Sequence, residues 1–394
     1  MAREAVIVDC ARSAFGKRKG ALAGWHPTDL LGLVLREVIE RNDIDPGRID
    51  DVVGGCITQS GEQGCNVTRN AWVAGGLPWH VPATSVDRQC GSSQQAAHFV
   101  AQGVLAGAYD IGIACGVESM SRAPMSSNAR GGTGPFSGEF LANTNNTLGI
   151  QFWVAQVLAD KWGVTRAEMD AYALQSHQRA AANTDNGFLP GEIIPIPIKD
   201  PETGAETGEM LETDEGIRRD ASLEKIGSLG PAWVSEEQPA PEITAANSSQ
   251  MTDGAAAMII ASADFAEQHN LPVRARFKHF AVAAEDPVLV LSAPVPVTYK
   301  LMERSGMKVD DFDAVECNEA FAAIALMWQK EFGYPMERFN PRGGAIALGH
   351  PLGASGVALM TRLLRHLEDT GGRYGFQTMC EGGGQANATV IERV

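Results

Sequence analysis

Two short segments, far apart in the chain, each set a reactive side chain just before a run of small residues that opens a helix. They are Val86-Asp87-Arg88-Gln89-Cys90-Gly91-Ser92-Ser93 and Gly344-Ala345-Ile346-Ala347-Leu348-Gly349-His350-Pro351-Leu352-Gly353-Ala354-Ser355-Gly356. A third, Met379-Cys380-Glu381-Gly382-Gly383-Gly384, adds a second thiol beside a glycine run. Cys90 suits a nucleophile. A thiol is largely protonated near neutral pH, and a helix start supplies unpaired N–H groups and partial positive charge that favour the thiolate. His350, flanked by glycines that permit close ligand approach, suits the base. Cys380 can trade a proton with carbon, and the amides after it can bind a developing oxyanion. Asn318, in Asn318-Glu319-Ala320-Phe321-Ala322, offers an uncharged group to fix a water or polarise a carbonyl. Two thiols and one imidazole suit carbon–carbon bond chemistry through a thioester better than hydrolysis. Taken alone, each also has a plain reading: a structural cysteine at a helix start, or a histidine satisfied by local hydrogen bonds.

The elements that must hold these residues read as two copies of one pattern. Residues 29–55 give an apolar-periodic helix (Leu30, Leu31, Val34, Leu35, Val38, Ile39), an acidic turn and a strand. Residues 297–318 give a helix with Leu301 and Met302, then Asp310-Asp311-Phe312-Asp313 and a strand. Asp50 and Asp313 stand 263 positions apart, and Cys90 and His350 stand 260 apart, so these landmarks are taken as equivalent pairs. After each, a helix is expected (91–106 with Ala96, Ala97, Val100 and Val104 on one face; 354–367 with Val357, Met360, Leu364 and Leu367), then a strand (110–116; 375–380). Alternating strands and helices imply layered α/β architecture. Between the halves, 121–243 has a different character. It holds a Gly/Ser/Asn-rich opening, a helical run from Phe152 to Leu158, a Thr165-x-x-Glu168 capping box, and a Pro- and Glu-rich stretch over 190–241 read as loop and short strand. The expected division is 1–120 with a returning strand at 244–269, an inserted loop domain at 121–243, and 270–394.

The 394 residues, 44% hydrophobic and 20% charged, fit a globular chain of two or three packed units. A net charge of -16 without a lysine/arginine cluster argues against nucleic acid as a partner. No apolar run reaches the roughly 20 residues of a membrane span. The start, Met1-Ala2-Arg3-Glu4-Ala5-Val6, reads as an early strand rather than a secretory leader. Seven scattered cysteines with no Cys-x-x-Cys pair argue against a disulfide framework or a structural zinc site, and place the chain in a reducing cytoplasm.

The blocks around Cys90, Asn318, His350 and Cys380, in this order along nearly the whole chain, resemble the thiolase family. The resemblance implies a duplicated, five-layered αβαβα fold with an inserted loop domain, assembled as a homodimer or homotetramer. It implies CoA-dependent cleavage of a 3-oxoacyl-CoA, or the reverse Claisen condensation, with no permanently bound cofactor and with CoA and acyl-CoA as substrates. Carried over, Cys90 is acylated, His350 activates it, and Cys380 protonates or deprotonates acetyl-CoA. One oxyanion site comes from His350 and a water held by Asn318, the other from the backbone N–H groups of Cys90 and Gly382. Ser249 matches the serine that touches pantetheine, and Arg218 is a candidate for the nucleotide end of CoA. The chain departs from the pattern at Ile150-Gln151, where many acetoacetyl-CoA thiolases carry His-Met, and at Arg342, where asparagine is usual. Gln89-Cys90-Gly91-Ser92-Ser93-Gln94-Gln95 and Gly116-Val117-Glu118-Ser119-Met120 are similar to actinobacterial thiolases of lipid and steroid side-chain breakdown. A degradative role is therefore favoured. The alternatives are a biosynthetic acetoacetyl-CoA thiolase, a non-catalytic acyl-CoA-binding protein of the same fold, and a decarboxylating condensing enzyme.

Overall fold

A computed structural model describes residues 3–187, 189–236, 238 and 240–394. Met1 and Ala2, and Glu237 and Pro239 within the Pro-rich stretch, lie outside the described residues. The main strands are β1 (Ala5–Ser13), β2 (Asp51–Gly55), β3 (Ala83–Val86), β4 (Ile111–Ser119), β5 (Thr252–Ser262), β6 (Ala275–Ala284), β7 (Ala314–Cys317), β8 (Tyr374–Glu381) and β9 (Gln385–Arg393). The main helices are α1 (Pro27–Glu40), α2 (Val67–Ala74), α3 (Ser92–Leu105), α4 (Gln151–Trp162), α5 (Arg166–Asp185), α6 (Pro294–Ser305), α7 (Ala322–Phe332) and α8 (Ser355–Thr370), of which α4 and α5 pack on α7.

Along the sheet the order is β7-β8-β9-β6-β1-β5-β4-β2-β3. Read outward from the β6–β1 junction, each half repeats one strand order. The junction is only two residue pairs wide, Val6 with Arg276 and Ile7 with Ala275, so the sheet can fold there into two layers. The hydrophobic clusters show that it does. Strand side chains alternate faces. Ala255, Ala257, Ile259 and Ala261 of β5 join the cluster with α1 and α2, while Ala256, Met258 and Ile260 join the one shared with α3 and α8. In the second half, Phe376 and Val390 pack with α6 and α7, whereas Ile391 belongs to the cluster around α3 and α8. The layers run α1/α2, sheet, α3/α8, sheet, α6/α7. Strands covered on both faces are mostly apolar; β1, β4 and β5 are buried along their whole length, and charged residues they carry, such as Arg12 and Glu118, are paired or hydrogen-bonded.

The duplication has a register. Ala314 follows Asp51, Ser355 follows Ser92 and Tyr374 follows Ile111, each by 263 positions. The parallel pairs Asp51–Gly112 and Ala314–Gly375 match at that spacing. Asp50 Oδ2 accepts the N–H groups of Asp110 and Ile111, and Asp313 Oδ2 accepts those of Arg373 and Tyr374. This corrects one sequence alignment: Gly353, not His350, occupies the place of Cys90. His350 sits three residues earlier because Pro351, Leu352 and Gly353 form the turn that precedes α8. Residues 121–243 hold α4, α5, the two-stranded sheet Ile196–Lys199 with Glu206–Leu211, and the helix Leu223–Gly227. Thr165 and Glu168 form the expected capping box on α5.

Candidate active site

The two central helices both begin beside the site without a side-chain cap from their N-cap residues. Neighbouring groups take up first-turn N–H groups instead: Ser92 N donates to Gln89 O, Ser355 N to Pro351 O, and Val357 N to Ser93 Oγ. Cys90 immediately precedes Gly91, the N-cap of α3. Its predecessor Gln89 has φ 49°, a left-handed angle that a side-chain-bearing residue adopts at a cost. Local hydrogen bonds hold that turn. Gln89 N donates to Asp87 Oδ1 at 2.7 Å, Arg88 N to Ser92 Oγ at 2.9 Å, and Ser92 Oγ to Gln89 O at 2.6 Å. Cys90 is 6% exposed and clusters with Ile57, Met120, Leu352, Leu359 and Met379. Leu352 belongs to the turn after His350, and Met379 precedes Cys380. The turns carrying the two thiols also interlock: a Cβ on Gly382 would lie 2.7 Å from Gln89 Oε1.

His350 is buried, and its environment fixes its tautomer. Ser355 Oγ donates to Pro351 O at 3.0 Å, so it accepts from His350 Nδ1–H at 2.6 Å. Nε2 is then the lone-pair nitrogen, facing the Asn318 Nδ2 donor at 3.3 Å. Asn318 Oδ1, also buried, has no partner among the described residues and remains available to a water or substrate. Burial pushes His350 down to about 4, so at neutral pH the ring is uncharged and can receive a proton. Burial pushes the Cys90 thiol well up, with the neighbouring Cys380 and Glu381 adding to it, and raises Cys380 as well. The resting state is therefore thiol and neutral imidazole.

Asn318 owes its position to a buried hub that sequence reading did not single out. Glu319 Oε1 accepts from Tyr172 Oη at 2.9 Å and Asn340 Nδ2 at 3.1 Å, while Oε2 accepts from Ser176 Oγ at 2.7 Å and Ile346 N at 3.1 Å. One carboxylate thus ties β7, α5 and the segment leading to His350 together. Asn340 also clasps Cys317 through both N–H and carbonyl at 2.8 Å. Arg342 is buried at 5% exposure and pairs with Asp369 of α8. Ile150, at the start of α4, is exposed. Ser355, five residues beyond His350 on the first turn of α8, was a missed residue with a visible signal: a hydroxyl one helical turn past a histidine. Glu118 was another, a lone acid inside the apolar strand β4.

Ser249 and Arg218 are placed by two neighbouring features, a loop and a cavity, that share Gln250. Ser249 N donates to Ala320 O, and His350 N donates to Gln250 O, so the 247–250 loop touches both catalytic blocks. Gln250 also lines a cavity of about 220 Å³ with Ala246, His177, Arg218 and Lys225. Arg218 N donates to His177 Nδ1 at 3.1 Å. Arg218 and Lys225 both line the cavity, Lys225 paired with Asp220 of the same lining.

Comparison with known proteins agrees with the duplicated architecture. Residues 5–264 match the thiolase N-terminal domain family and residues 271–393 the thiolase C-terminal domain family. The chain belongs to the thiolase family. It is 44% identical over 398 residues, covering 99% of this chain and 94% of the relative, to a steroid 3-ketoacyl-CoA thiolase of Mycobacterium tuberculosis. It is 39% identical, across 100% of both chains, to a beta-ketoadipyl-CoA thiolase of Pseudomonas aeruginosa. The acetyl-CoA acetyltransferase of Bacillus anthracis superposes with a TM-score of 0.89 at 30% identity, covering 100% of this chain and 99% of that one. This thiolase is accordingly an acyltransferase of αβαβα fold. Among the described residues, no helix is long and apolar enough to cross a membrane.

Proposed function

We propose that this thiolase cleaves a 3-oxoacyl-CoA with CoA, through an acyl group carried on Cys90. Cys90 Sγ attacks the 3-oxo carbon and its proton passes to His350 Nε2. The C2–C3 bond breaks, its electron pair forms the enolate of acetyl-CoA, and Cys380 gives that carbon a proton. The Cys380 thiolate then takes the proton of incoming CoA, whose sulfur attacks the acyl carbonyl. Cys90 leaves and recovers its proton from His350. Both half-reactions build charge on a thioester oxygen, which calls for donors placed in advance. His350 with a water on Asn318 would serve one oxygen, and the N–H groups of Cys90 and Gly382 the other. The observation carrying this reading is the Asn318–His350–Ser355 chain, which leaves a neutral Nε2 at the site.

Ser249 would meet the pantetheine and Arg218 the nucleotide phosphates, with CoA entering by the cavity at Gln250. The favoured substrates are those of lipid or steroid side-chain breakdown, on the strength of the 44% identical steroid thiolase. The division into 1–120 with 244–269, a loop domain at 121–243, and 270–394 is retained. Its support is that, among the described residues, the middle segment adds only Ile193–Ile194 to the main sheet, beside β1. A homodimer or homotetramer in the cytoplasm completes the proposal. The assembly, rather than the location, is supported by β3 at the sheet edge, with Trp79 nearby at 81% exposure. The test is CoA-dependent cleavage across acetoacetyl-CoA, medium and long 3-oxoacyl-CoAs and a sterol side-chain 3-oxo thioester. Turnover on the longer substrates is expected, and activity confined to the four-carbon thioester would favour the biosynthetic reading.

A further inference from the structure

The 263-residue spacing sets Glu381, at the end of β8, opposite Glu118, near the end of β4. Both are fully buried. Glu118 is completely satisfied. Its oxygens accept from Ile57 N, Thr58 N and Gly353 N at 3.0 Å and from Gln63 Nε2 at 2.9 Å. Gly353 is the counterpart of Cys90, so Glu118 holds the turn before α8.

Glu381 faces the equivalent turn before α3. A Cβ on Gly91 would lie 2.8 Å from Glu381 Cδ and 2.7 Å from Asn387 Nδ2, so carboxyl and amide share the space against that glycine. Asn387 Nδ2 donates to Gly91 O at 3.0 Å. Yet neither Glu381 oxygen, nor Asn387 Oδ1, has a hydrogen-bond partner among the described residues. Three buried acceptor atoms without a donor are costly together, and one proton shared between Glu381 and Asn387 relieves two of them. A carboxyl group donates where a carboxylate only accepts.

We propose that Glu381 is a positioning residue for the nucleophile: carried as a neutral acid, it donates its O–H to Asn387 Oδ1 and locks the Gly91 turn that presents Cys90. The proposal rests on the reading of Cys90 as nucleophile. Burial drives Glu381 well up; Arg88 and the Asn387 backbone N–H, which lies near the carboxyl but outside hydrogen-bond geometry, pull the other way, and Asp87 adds to the rise. The neutral form also matters to the thiols, because a charge on Glu381 would oppose thiolate formation at both Cys90 and Cys380.

Two measurements on the full chain test this. Infrared difference spectra of wild type against E381Q are expected to show a protonated carboxyl C=O band that the variant lacks; its absence overturns the proposal. Alkylation of Cys90 by iodoacetamide, followed by peptide mass mapping, is expected within about twofold of wild type in E381Q and about tenfold slower in E381A. Gln supplies the donor without the charge, so equal slowing in both variants would also overturn it. C90A, assayed alongside, separates the two readings. Thiolytic turnover surviving in C90A removes the nucleophile role, whereas the infrared band and the Gln–Ala contrast bear on Glu381 alone.

Discussion

The unit β2–α3–β4 in the first half and the unit β7–α8–β8 in the second share strand order, register and an aspartate that ties strand start to strand start. They differ in what stands at the carboxyl ends of their strands. The first unit carries one reacting side chain, Cys90, with Glu118 fully bonded behind it. The second carries Asn318, His350 and Cys380, with the unbonded Glu381. In open α/β sheets, ligands gather at strand carboxyl ends, and two such units back to back bring two sets of ends together. The comparison teaches that the repeat supplies placement while the unequal turns supply chemistry. On the proposed mechanism, one copy would hold the acyl group and the other would move the protons.

Exchanging equivalent positions should therefore give unequal results. Cys380→Ala is expected to lower thiolysis by about 10⁴-fold and to abolish deuterium exchange into acetyl-CoA, while Cys90 still acylates slowly. Its counterpart Val117→Ala should cost about 2 kcal/mol of stability, read by denaturant unfolding, and leave kcat within about threefold. Equal catalytic losses would break the division of labour. Asn318→Ala is expected to lower kcat/KM by about 10²-fold with little change in stability, since it removes one preorganised oxyanion contact.

The second unit should also be acid-sensitive at its active turn, as the first is at His98 of α3, which burial pushes down to about 3. His350 titrates near 4 in the folded chain because it is buried, against about 6.5 when unfolded. A lowered folded pKa gives stability that is full above pH 6.5 and is lost as pH falls toward 4, because the unfolded chain then binds the proton first. Unfolding free energy should thus fall more steeply between pH 6.5 and 4 in wild type than in His350→Asn. A parallel slope in the two would remove the buried neutral base. The smallest effect concerns the twins themselves. Asp50→Asn and Asp313→Asn are each expected to cost about 1 kcal/mol, by similar amounts. A large inequality, read in the same unfolding assay, would show that the two units are not held alike.

Much of this was legible in the chain. Glycine and small residues around Cys90, His350 and Cys380 marked turns where backbone must come close, and periodicity placed α3 and α8 within a few residues of their ends. The register was read slightly wrong because His350 was matched to Cys90 by chemistry, whereas the backbone repeat passes through Gly353. Ser355 could have been found from its spacing to His350. The Glu319 hub could not, because its donors come from α5 and from the 340–346 stretch, and only folding brings them together. The contrast of Glu118 with Glu381 was equally hidden, since both read as single acids at the ends of apolar strands.

The central claim is that the two units meet at one thioester, with sulfur from the first unit carrying the acyl group. The direct measurement is a rapid acid quench of the protein mixed with acetoacetyl-CoA in the absence of free CoA, followed by peptide mass mapping. One acetyl group on Cys90, formed together with one equivalent of acetyl-CoA, is the expected result. An acetyl group on Cys380, or an unmodified Cys90 in protein that goes on to turn over when CoA is added, would contradict it.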